Sequence, residues 1–109
     1  MTAFAASIDR LMTQVGHWEQ GRWWSRTDIR HAAGSPPATR ADLAYVLVQR
    51  LADLAADAEG RPRRPVPRLS DLVLPDQLRV MADDLTAAEP PEDLLKAAAD
   101  DVEALRRSL

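Results

Sequence analysis

Apolar side chains stand at Phe4, Ile8, Leu11, Val15 and Trp18, a spacing of 4, 3, 4, 3 that puts all five on one helical face with Met12 beside it. The pattern predicts a first helix over 3–19, capped by Thr2 and ended by Gly21. A longer, less one-sided pattern fills 39–59. Ala44, Leu47, Val48, Leu51, Ala55 and Ala58 share a face, and Leu43, Tyr45, Val46 and Leu54 widen it until the first half is apolar nearly all round. Thr39 followed by Asp42 reads as a capping box with Asp in place of Glu, and Gly60 suits the C-terminal cap.

A third helix over 75–88 buries Leu78, Met81, Ala82 and Leu85, with Ser70 or Asp71 as cap, Pro75 in its first turn and Arg79 spaced to pair with Asp83. A fourth over 91–108 buries Leu94, Leu95, Ala98, Val102 and Leu105, with Leu109 at its end. Glu92 and Asp93 lie near its positive end and Arg106 and Arg107 near its negative end, as the helix dipole favours; Lys96 is spaced to pair with Asp100. The short Glu89-Pro90-Pro91 link predicts that the last two helices form an antiparallel hairpin.

Two stretches resist this periodicity. Residues 20–38 hold Trp23, Trp24, Gly34, Pro36 and Pro37, with a short helical turn expected from Thr27-Asp28 to His31. Residues 60–70, GRPRRPVPRLS, carry three prolines that forbid a regular helix and four arginines that keep the backbone solvated, so an extended, polyproline-like crossover is expected. No segment alternates as a strand. The reading is a single all-α domain over 1–109, a small four-helix bundle with one long crossover and a C-terminal antiparallel helical hairpin.

Composition narrows the picture. Nineteen of the 109 residues are Ala, and Leu, Ile, Val and Phe together number 24, so the core is thin and rich in small side chains. There is no Cys, hence no disulfide framework, thiol nucleophile or thiolate metal site. The longest apolar run, Leu43 to Val48, is too short to span a bilayer, and the amphipathic start with Asp9, Arg10 and Glu19 does not read as a secretion signal. The expectation is a cytoplasmic protein without a membrane partner.

Chemistry is sparse. His17 and His31 stand fourteen residues apart without the ligand spacing a Cys-free zinc site needs. Asp83-Asp84 and Asp100-Asp101 are neighbours that diverge by about 100° on a helix and cannot converge on one ion unaided. No serine sits in a nucleophile elbow, and four scattered glycines make no phosphate loop. The chain is therefore expected to be non-catalytic, with no metal and no cofactor.

The candidate surfaces are two. In WEQGRWWSR, Trp18 completes the first stripe, while the adjacent Trp23 and Trp24 point in different directions and, with Arg22 and Arg26, form a candidate partner-binding surface. The alternative is that both indoles plug the open end of the bundle. Arg61, Arg63, Arg64 and Arg68 form a basic patch. Residues 21–70 carry nine arginines against five acids and residues 71–109 four bases against ten acids, so pairing with acidic helix faces of this chain, or of a second copy, is favoured over phosphate contacts. The nearly all-apolar first half of the second predicted helix, set among Ala-rich neighbours, further predicts a twofold dimer.

Two local likenesses accompany these readings. ATRADLAYVLVQRLADL resembles the end of an S-layer homology motif, with His17-Trp18 upstream, but the Gly-rich turn between them is missing and there is one copy. TRADLA also resembles a helix of winged-helix repressors, yet no recognition helix with a wing follows. Neither is taken as a family assignment. The functional expectation is a small non-catalytic protein-interaction or regulatory module. The alternatives are a ligand-binding protein or enzyme with its pocket near Trp18, Trp23, Trp24 and His17, and a nucleic-acid-associated factor using the Arg-Pro segment.

Overall fold

A computed structural model describes residues 2–109. Helix α1, Ala3–Val15, starts where Thr2 Oγ1 accepts the Ala5 N–H at 3.0 Å. It ends before the expected residue 19, because Gly16 closes the last turn and the chain bends, Trp18 N–H donating to Val15 O at 3.0 Å. A single turn, α2, Gln20–Trp24, follows. Gly21, expected as a helix end, therefore lies inside a helix, and no helical turn forms over 27–31. The pull of Trp23 into the core outweighs the local preference of its neighbours. The described residues form five α-helices, not four.

The other three helices keep their expected ends to within one residue: α3, Arg40–Glu59; α4, Leu74–Ala87, led in by a 3-10 turn at Asp71–Val73; and α5, Glu92–Ser108. The capping box on α3 is complete, with Thr39 Oγ1 accepting the Asp42 N–H at 3.0 Å and Asp42 Oδ2 accepting the Thr39 N–H at 3.1 Å. Partial burial pushes the Asp42 carboxyl up, but those bonds and Arg68 outweigh it and hold the group below the usual aspartate range. Gly60 ends α3 in the left-handed region at φ 68°. Among the described residues there is no strand, only an isolated bridge between Arg26 and Thr39.

Helix directions follow from who meets whom. Arg10 reaches Glu103 and Gln14 reaches Arg106, so α1 and α5 run parallel. Asp42 meets Arg68 just ahead of α4, while Ala56 and Asp84 line one cleft further along, so α3 and α4 run parallel too. Arg50 meets Asp101 and Arg40 meets Leu109, which makes α3 and α5 antiparallel. α4 and α5 therefore run antiparallel, as the short link predicts. Each of the four long helices lies against two of the other three: α3 against α4 and α5, α1 against α5 and α4, while the short α2 packs on α3. This places α4 and α5 on a diagonal of the bundle. The link between them turns at Glu89, at φ 50°, and continues through two prolines, whose extended backbone gives it the reach. Arg79 accordingly pairs with Asp9 on α1 at 3.1 Å and not with Asp83, and no Lys96–Asp100 ion pair forms among the described residues.

The core runs through all five helices, from Phe4, Ile8 and Leu11 to Leu51, Leu78, Leu85 and Val102. Small side chains (Ala41, Ala44, Ala55, Ala82, Ala98) sit wholly inside it and let the helices approach closely. The α3–α4 and α1–α5 pairs pack along their lengths, and the other two edges of the bundle are looser. The 60–70 crossover is irregular but not free. Val66 is buried, its N–H donating to Gln49 Oε1 at 2.8 Å and its carbonyl accepting from Tyr45 Oη, while Gln77 Nε2 donates to Pro67 O at 3.1 Å. No helix among the described residues is long and apolar enough to cross a membrane.

Candidate functional site

The looser α3–α5 edge opens into an apolar groove of about 350 Å³. One wall is α3, with Leu43, Val46 and Leu47, and the other is α5, with Ala104, Leu105 and Ser108. Val46 stands outward at 54% exposure, because α3 carries more apolar positions than two neighbouring helices can cover. The small Ala104 and Ser108 opposite leave the volume unfilled. Arg50 bridges the two walls to Asp101 at 3.2 Å, half in water, so the pair orders the rim more than it stabilises the fold.

Ile29 forms the third side of the groove. It arrives there because the loop after α2 folds back on itself. Thr27 N–H donates to Ala38 O at 2.8 Å, Ala38 N–H to Ile29 O at 2.6 Å, and Thr27 Oγ1 to Ala38 O at 2.9 Å. Gly34, at φ 83°, supplies the turn. Arg40 ties this loop to the bundle, with Nη1 donating to Ser25 Oγ and Arg26 O and Nε to Leu109 O. Neither Ile29 nor Arg40 stands out in the sequence. Each acts through partners distant along the chain, and no local pattern marks such a role.

Of the four residues of the expected Trp surface, Arg22, Trp24 and Arg26 are exposed and Trp23 is not. Trp23 is fully buried, its ring edge-on to Trp18 at 4.8 Å, and its Nε1–H has no partner. Arg22 lies over the Trp18 ring at 4.9 Å, and Arg26 Nη1 donates to Pro37 O at 2.6 Å. Trp24 is presented to solvent, 65% exposed, between the exposed Arg22 and Arg26. One indole thus closes the end of the bundle and the other faces outward, as adjacent residues on a helical turn must.

The basic patch is spread along the crossover and paired at three of its four positions. Arg61 meets Glu59 at 3.2 Å, Arg63 meets Asp57 at 2.6 Å and Asp53 at 3.9 Å, and Arg68 meets Asp42 at 3.2 Å and Asp71 at 3.6 Å while covering the Tyr45 ring. Arg61 and Arg63 hold the Glu59 and Asp57 carboxyls below their usual ranges. Arg64 is exposed, and its backbone carbonyl accepts from Gln49. His17 and His31 lie exposed in separate loops, and no three His, Asp or Glu side chains among the described residues gather as metal ligands would. No family model, curated protein sequence or solved structure matches this chain.

Proposed function

We propose that this protein is a non-catalytic interaction module of the cytoplasm that docks a protein partner through the α3–α5 groove. The observation that carries the reading is the pairing of an unfilled apolar groove with an outward-facing Val46 on its lip. Contiguous apolar surface rimmed by polar residues is characteristic of protein contact sites. The groove offers an incoming side chain one ion pair and a hydroxyl, in Arg50, Asp101 and Ser108, against apolar walls. That set suits recognition of an apolar anchor and lacks the convergent polar groups that catalysis uses.

Photocrosslinking tests it. A photoreactive phenylalanine analogue at position 46 in cells producing the full chain is expected to give a discrete adduct. The same residue at position 80 is the control, since Val80 on α4 is equally exposed, at 52%, away from the groove. Absence of any adduct at 46 beyond the control rejects the groove as a contact site.

A further inference from the structure

We infer that the occupant of this groove is a second copy of the chain, bound through the same face by a twofold axis; the inference rests on the groove reading above. Three features of the face fit a self-complementary contact. It carries both a protrusion, Val46, and a recess bounded by Ile29, Leu47 and Leu105, so one copy's Val46 has a place to enter on the other. An isologous interface requires this, because the same patch must serve as knob and hole.

Charge supplies the second argument. The rim holds one cation and one anion, Arg50 and Asp101, and is neutral although the chain carries −3 overall. A twofold axis beside this pair sets Arg50 of each copy against Asp101 of the other in an alternating arrangement with no net charge to repel, whereas a strongly acidic or basic partner finds no complement there. The third argument is space. The small Ala104 and Ser108 on α5, opposite the apolar turn of α3, let a second helix pair come close. An α3 of 20 residues is about 30 Å long, and two helices side by side offer on the order of 600 Å² per copy. That is somewhat less than the ~800 Å² per partner of a standard stable interface and falls in the size class of weak, transient contacts.

Sedimentation equilibrium on the full chain between about 1 and 500 μM reads the outcome. The expected mass rises from 12.1 kDa towards twice that value. Val46→Glu is expected to hold the mass at 12.1 kDa with an unchanged thermal melt at low concentration, since the side chain is already exposed. Arg50→Asp and Asp101→Arg are each expected to stay monomeric alone and to form a mixed dimer on combination, because only the mixture restores opposite charges across the axis. A mass of 12.1 kDa throughout overturns the proposal, as does a dimer indifferent to Val46→Glu or to the charge pair. A monomer that nevertheless gives a position-46 adduct with another protein removes the second copy and leaves the groove reading standing. A monomer with no adduct removes both.

Discussion

Truncating Trp23 to alanine is expected to cost about 3–5 kcal/mol, the range of large aromatic deletions in cores, while the same change at its neighbour Trp24 costs close to nothing. An indole withdrawn wholly from water, as Trp23 is, buries roughly 150–250 Å². At about 25 cal/mol per Å² this contributes some 4–6 kcal/mol. The edge-on contact with Trp18 at 4.8 Å adds to it. Against this stands the Nε1–H, buried without an acceptor, a group whose desolvation costs about 1–3 kcal/mol and which truncation removes. The middle of these ranges, about 3 kcal/mol before the roughly 1 kcal/mol of the aromatic contact, lies in the stated range, a large share of the ~5–15 kcal/mol that holds a domain of this size. Trp23→Phe keeps most of the ring and loses the orphaned donor, so its cost is expected to stay under about 2 kcal/mol. Trp24, 65% exposed, is expected to change stability by less than about 0.5 kcal/mol when truncated. Urea titrations and thermal melts read all three, with Trp23→Ala lowering Tm by roughly 15–25 °C. Equal losses for the two alanine variants, or a mild loss for Trp23→Ala beside a severe one for Trp23→Phe, would refute the reasoning.

Three further outcomes are expected. Thr39→Ala removes the acceptor for the Asp42 N–H and should cost about 1 kcal/mol in a denaturant titration, with Thr39→Ser retaining most of it. The Asp42 carboxyl titrates below its ordinary 3.8, so its contribution is complete above that value and is lost as pH falls through the lower folded value. Acid melts should therefore fall less steeply for Asp42→Asn, which starts from a lower stability at neutral pH. Ala98, wholly buried in α5, has no room for a larger side chain, and Ala98→Leu should cost about 1–3 kcal/mol, whereas Ala104→Leu points into the open groove and should cost less than about 0.5 kcal/mol by the same melt.

Helices α3, α4 and α5 were legible because their signals are local. A stripe at helical spacing, the Thr39–Asp42 box, Gly60 and the Pro-bounded ends each act within a few residues, and the structure keeps all of them. The long crossover was legible for the same reason, since proline removes the backbone donor wherever it stands. The pairing of the crossover arginines with acids was legible only in kind. That Arg63 meets Asp57 and Arg68 meets Asp42 depends on how the crossover lies along α3, which Gln49 and Tyr45 set by gripping its backbone.

The sequence alone also flagged the excess of apolar positions at Leu43 to Val48, which is half of the candidate site. The other half waited for the tertiary structure. Whether Val46 faces a neighbour or water depends on which helices border α3, and that was settled by the diagonal placement of α4 and α5, not by the hairpin link between them. The choice between Trp23 and Trp24 is of the same kind. Two identical side chains on adjacent residues carry identical local preference, and only the direction in which the end of the bundle lay open decided that one is buried and the other is not. Local order is written in spacings of three and four residues, but burial is a relation between elements far apart along the chain, and no single element's pattern contains it.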